Sequence, residues 1–152
     1  MQHQRYEVPA KYAPWGILAS MLMAVYQAAA PVEVKQSAES IRIELGLYDR
    51  SSVSVDRLRE VRLIAELPAL GRRLSGYELG PRRRARYELA DGGTVDLFLE
   101  RRQPPYLLLR AEYAETYTMI VNQWTASGTR EALDLVQRAV AEGWPPRSER
   151  VR

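Results

Sequence analysis

Hydrophobic and polar positions divide the chain into three stretches. Residues 1–14 are polar and contain Pro9 and Pro14, so they read as an extended lead-in. Residues 15–30, from Trp15 to Ala30, carry no charge, and only Ser20 and Gln27 are clearly polar. Pro14 suits the first turn of a helix, whose N–H groups need no partner, and Pro31 ends it. No polar stripe recurs at the helical period, so this is not an ordinary surface helix. From Val32 onward the period changes to two. Ile41, Ile43 and Leu45 alternate with Arg42 and Glu44, as a half-buried strand requires. Asp49 to Ser52 reads as a turn into a short strand Val53–Val55, and a further run, Val61–Leu67, stops at Pro68. Leu70 to Arg84 is rich in glycine and arginine and shows no strong periodicity.

The strongest local signal comes next. Ala85–Leu89 and Thr94–Leu99 flank Ala90-Asp91-Gly92-Gly93, and Asp-Gly and Gly-Gly supply the positive φ angles of a tight hairpin. Tyr87 and Leu89 then share a face with Val95, Leu97 and Leu99. Beyond Pro104-Pro105, Tyr106–Ala111 and Thr116–Val121 are two more strands joined through Glu112 and Glu115. A helical stripe follows, with Ala132, Leu133, Val136, Ala139 and Val140 on one side. Thr125–Gly128 carries its N-cap candidates, with Ser127 or Thr129 foremost, and Gly143 with Pro145-Pro146 stops it. The predicted fold class is mainly β (α+β): about seven strands in an antiparallel barrel or sandwich, capped by a C-terminal α-helix and preceded by an apolar helix. The predicted organisation is a lead-in at 1–14, the apolar helix at 15–31, one domain at 32–143 and a tail at 144–152.

Four further landmarks stand out: Leu58-Arg-Glu-Val-Arg-Leu-Ile-Ala-Glu-Leu-Pro68; Arg72-Arg-Leu-Ser-Gly-Tyr-Glu-Leu-Gly80; Ala85-Arg-Tyr-Glu-Leu leading into the Asp91-Gly92 hairpin; and Asn122 with Thr129, where the last strand closes and the helix opens. In this order they resemble the bacterial PH-domain family (pleckstrin-homology-like). The first resembles that family's "I..I.L...LP" strand and the second its "R.NG...G" turn, with Ser75 where asparagine is usual, while Asn122 and Thr129 match its C-terminal signature. The resemblance covers residues 38–140 and implies a PH-like barrel or sandwich. Members often carry transmembrane segments, which supports an anchor at residues 15–31. At ~1.5 Å per residue the uncharged run 15–30 spans roughly 24 Å against a hydrocarbon core of ~30 Å. A cleaved secretory signal and a helix packed on the sheet are the other readings of it. Arg5 and Lys11 precede the segment and Lys35, Arg42 and Arg50 follow it, which slightly favours a single-pass protein with its domain on the cytoplasmic side. The alternative is a soluble or exported domain that binds a small ligand.

Composition narrows the chemistry. The chain of 152 residues is 46% hydrophobic and 27% charged, within the range of folded domains. It has no cysteine, which removes disulfides, thiolate nucleophiles and cysteine-based metal sites. Its one histidine, His3, lies in the lead-in, and no phosphate-binding loop, dinucleotide fingerprint or EF-hand spacing occurs. No catalytic residue, cofactor or metal ligand is therefore assigned, and the chain reads as a non-catalytic interaction module. Of 22 basic residues only Lys11 and Lys35 are lysine. That bias also follows from GC-rich coding. Arg72, Arg73, Arg82, Arg83, Arg84 and Arg86 fall in one glycine-punctuated stretch and form the candidate contact patch for an anionic lipid surface or an unknown protein partner. Tyr87 falls in the period of the core-facing set rather than on an exposed face with the basic residues, which argues against nucleic acid. A partner at an exposed sheet edge or beside the helix needs no signature residues.

Overall fold

The computed structural model describes residues 19–22, 31–37, 40–45 and 49–142. Residues 19–22 are helical. The lead-in, the remainder of the apolar helix before Pro31, and the tail lie outside the described residues. Among the described residues no helix is long and apolar enough to cross a membrane. The chain divides into two units between Ala30 and Pro31, and the second is described here by itself.

That unit is mainly β, with an α-helix at its C-terminal end. A three-stranded antiparallel sheet comprises β1 (Val32–Ser37), β2 (Ser40–Leu45) and β3 (Asp49–Ser54), in the order β1-β2-β3. Ile41 and Ile43 of β2 are fully buried while Arg42 and Glu44 stay partly exposed. A 3-10 turn, Val55–Arg57, leads to β4 (Leu58–Ile64). The second sheet adds β5 (Leu70–Leu79), β6 (Arg82–Leu89), β7 (Thr94–Leu99), β8 (Tyr106–Glu112) and β9 (Thr116–Val121), in the order β4-β8-β9-β7-β6-β5. Its pairs are antiparallel except β7 with β9, which run parallel.

These findings differ from the sequence expectation in three places. Nine strands are present among the described residues rather than about seven, and one pair is parallel where an antiparallel barrel was expected. The additional long strand is β5, inside the stretch without periodicity; it is exposed from Gly71 to Tyr77, so no alternation marks it. Asp49 to Ser52, read as a turn, belongs to β3.

Both faces of the larger sheet are covered, which is why β7 is buried along nearly its whole length. On one face Phe98, Leu107, Leu109, Met119 and Val121 meet Ile41, Ile43 and Val53 of the smaller sheet. The helix α1 (Ala126–Ala141) adds Ala132, Val136 and Ala139 to that core. On the other face Val95, Leu97, Leu99, Leu108 and Ile120 form a second core, closed by Ile64, Leu67, Leu70 and Leu89. Each fully buried Leu or Ile contributes ~1.5–3 kcal/mol. Thr125, rather than Ser127 or Thr129, caps α1: its hydroxyl accepts the Gly128 N–H at 3.0 Å. Thr129 is inside the first turn and buried, accepting the Gln123 N–H at 3.0 Å. Val140, expected on the apolar stripe, is 43% exposed.

Candidate interaction surface

The strand period separates the candidate arginines onto two faces. Arg82, Arg84 and Arg86 alternate along β6 on the side of the first core, opposite the end of β7 and the residue after it. Arg84 Nη2 donates to Glu100 Oε1 at 2.6 Å, and Arg82 Nε lies 2.9 Å from Glu100 Oε2. Arg86 holds Asp96 bidentately, Nε to Oδ1 at 2.7 Å and Nη2 to Oδ2 at 2.8 Å. Arg83 points to the opposite face and pairs with Glu78 at 3.1 Å. Arg72 pairs with Glu88 at 2.9 Å. Arg73 is exposed and has no carboxylate partner among the described residues. Contiguity in sequence therefore does not produce one cationic patch: Arg84 is buried, and all but Arg73 face a carboxylate on a neighbouring strand or loop.

Two of these pairs belong to larger networks that hold the sheets in place. Glu100 is fully buried and also accepts the Val32 N–H at 2.7 Å, tying the start of β1 to the end of β7. Asn122, also fully buried, accepts the Glu100 N–H at 2.8 Å and donates to the carbonyls of Arg101 and Gln103 at 2.9 and 3.1 Å. The asparagine noted in sequence thus fastens the β7–β8 loop, a structural task. Arg82 lies over the ring of Trp124, 4.9 Å from its centroid. In the second network Tyr117 donates to Asp96 at 2.7 Å and meets the Ser51 hydroxyl at 3.0 Å, bridging the two sheets. Burial, reinforced by Asp96, pushes the Tyr117 phenol up to about 12. The hydrogen bonds and charge of Asp96 raise Arg86 above the usual arginine range.

A third network lies on the other face of β5 and β6. Glu78 accepts from Tyr87, pairs with Arg83 and takes Arg102 Nη2 at 2.9 Å. The Tyr87 hydroxyl, followed by the two guanidinium charges, holds the Glu78 carboxyl below its usual range. Cavities accompany the networks. One of about 360 Å³ is lined by Ser51, Ser75, Arg84, Arg86 and Asp96. A cleft of about 570 Å³ runs beside Leu63, Ile64, Leu67, Pro68, Leu89 and Leu108, with Arg62, Glu66, Asp91 and Arg110 also lining it. Among the described residues no three His, Asp or Glu side chains cluster as metal ligands would.

The largest unpartnered backbone feature is β5 itself. It is ten residues long and stands at the end of the larger sheet, so its outer N–H and C=O groups have no strand beside them among the described residues. Leu74, Tyr77 and Leu79 are 42%, 37% and 56% exposed along it. Register shifts against β6 fall between Leu70 and Ser75, while Ser75–Leu79 pairs without interruption with Arg82–Arg86. The hairpin closes on Gly80-Pro81, with Gly80 at φ +58°, matching a glycine-first tight turn. That turn was the one signal by which β5 could have been found in the sequence. Set against known proteins, the chain matches no family model, no curated protein and no solved structure.

Proposed function

We propose that this chain is a non-catalytic interaction module that takes an extended polypeptide segment along the free edge of β5. The observation that carries the reading is that edge: a long terminal strand exposed from Gly71 to Tyr77 and bearing Leu74, Tyr77 and Leu79 toward solvent. Soluble proteins usually blunt such an edge, because an unpaired ladder templates another strand. Strand addition draws affinity from main-chain hydrogen bonds and selectivity from alternate side chains. An anionic surface is the weaker partner, since all of the candidate arginines but Arg73 already face carboxylates.

The resemblance to bacterial PH domains stays with this proposal as its support from sequence, and an anchor at residues 15–31 would hold the module beside a bilayer. The edge is tested by placing a photoreactive benzoylphenylalanine at Tyr77 and, as a control, at exposed Arg130 of α1. Adducts on irradiation in cells are expected at 77 and absent at 130. No adduct at 77, or one at 130 alone, overturns the reading. Fractionation after detergent-free lysis tests the anchor separately, with the chain expected in the pellet. A fully soluble chain removes the anchor and leaves the edge.

A further inference from the structure

We infer that the segment taken along β5 comes from a partner protein and alternates apolar with acidic side chains. Its apolar side chains cover Tyr77 and Leu79, and an acidic one enters the cationic surface beside Gly76 on the opposite face. The inference rests on the edge reading above and adds the chemistry of the partner. It follows from what the regular edge, Ser75–Leu79, presents on each side. Tyr77 and Leu79 stand opposite Arg84 and Arg82, on the face of the first core, and both are exposed. Gly76 and Glu78 stand opposite Ala85 and Arg83, on the face of the second. Residues of an added strand share a face with those they oppose. Its side chains therefore meet apolar surface at alternate positions and charge at the positions between.

The charge on the second face is unbalanced. Glu78 is already engaged by Tyr87, by Arg83 at 3.1 Å and by Arg102 at 2.9 Å. Arg73 adds a third guanidinium. Its backbone precedes the regular edge, opposite Tyr87, yet its charge reaches this face. Burial and the bond to Glu78 raise the Tyr87 phenol, and the charges of Arg83 and Arg73 act against that rise. Three guanidinium groups thus gather around the Tyr87–Glu78 pair, which holds one carboxylate, and Arg73 has no carboxylate partner among the described residues. Arg73 and Arg102 are exposed, so an acidic side chain can meet them without the desolvation cost of a buried pair. Gly76, between Arg73 and Glu78 along β5, puts no side chain in its way. A basic side chain at the same place would meet uncompensated positive charge and be rejected. Arginines that only guarded the edge would instead repel strands of any sequence.

Fluorescence anisotropy of labelled synthetic peptides titrated with the full chain tests the inference. One peptide alternates valine with glutamate and a second alternates valine with lysine. A third holds the valines and glutamates of the first in two blocks. The alternating glutamate peptide is expected to bind about tenfold or more tightly than either of the others. Arg73→Gln with Arg102→Gln should weaken it by about tenfold, while Arg130→Gln on α1 leaves it unchanged. Arg73→Gln alone breaks no ion pair among the described residues and should already show part of that loss. Thermal unfolding of these variants should stay near the parent, since the side chains are exposed. Raising salt from ~0.1 to ~1 M shortens the Debye length from ~10 to ~3 Å and should weaken the glutamate peptide several-fold. A lysine or block peptide bound as tightly overturns the acidic partner. So does a glutamate peptide that fails to bind, or one that the double variant binds as tightly as the parent or more so. In each case a Tyr77 adduct keeps the edge reading, and its absence removes both.

Discussion

Replacing Glu100 by glutamine preserves volume and removes a single charge from the best-sealed polar site in the domain. Glu100 is fully buried, and so, nearly, is Arg84 at 4% exposure. Its carboxylate answers Arg84 at 2.6 Å, Arg82 at 2.9 Å and the Val32 N–H at 2.7 Å. Glutamine can still accept from one of these donors but cannot balance a guanidinium. Removing one member of a buried ion pair costs ~3–5 kcal/mol, chiefly because the other charge stays out of water. For a body of this size about 4 °C is lost per kcal/mol, so Glu100→Gln is expected to lower Tm by ~12–20 °C. Urea unfolding followed by far-UV circular dichroism measures it, with an unchanged slope showing that the unfolded state is not altered. A loss below ~1 kcal/mol would refute the reasoning, for it would mean that water reaches the pair. A cycle adds a second check. Arg84→Met with Glu100→Met should be less destabilised than Glu100→Met alone, since the stranded charge leaves with its partner.

Three further outcomes follow from the same geometry. In Gly76→Ala the new Cβ would lie 2.2 Å from the Arg84 carbonyl oxygen at a φ of +88°. It should cost more than ~2 kcal/mol by urea unfolding, whereas Gly93→Ala, at φ +90° with open space around it, should cost ~1 kcal/mol. The phenol of Tyr117 is raised from 10.0 to about 12, so the folded state holds that proton more tightly than the unfolded chain. Its contribution is complete below pH 10 and lost between pH 10 and 12; allowing for partial exposure, the parent should lose ~1–2 kcal/mol more than Tyr117→Phe across that window. Equal alkaline profiles would contradict it. Thr125→Ala should cost ~1 kcal/mol by loss of the cap, and Ser127→Ala close to nothing; the reverse order would move the cap.

The parts of the fold legible in sequence are those set by near neighbours. The Asp91-Gly92 hairpin is present between β6 and β7, and Tyr87, Val95, Leu97 and Leu99 share the face their spacing predicts. Ala132, Val136 and Ala139 are buried on the helical stripe. β5 escaped because an edge strand exposed on both sides leaves no hydrophobic period to read. The arginines escaped for a different reason. Whether Arg84 is a surface charge or a buried one depends on Glu100, sixteen positions away and brought alongside only when β6 pairs with β7. A run of basic residues records a composition, and the strand partners decide what each charge meets. The parallel pairing of β7 with β9 is likewise invisible to any local pattern, since β8 intervenes between them in the chain.

That parallel pair governs the order in which the domain can be completed during synthesis. β9 lies between β7 and β8 in the sheet although both precede it in the chain, and β4 attaches only to β8. A nascent chain that has just finished β7 can close the β5–β6–β7 meander, but β4 has no neighbour in its sheet, and the flank of β7 that will receive β9 stands open. Both vacancies close when the β8–β9 hairpin arrives as a wedge, with Leu107 against Val121 and Val95 against Thr118. A product released early by the ribosome, anywhere short of Val121, would present apolar strands with a bare flank and would be a substrate for chaperones or proteases rather than a smaller working domain.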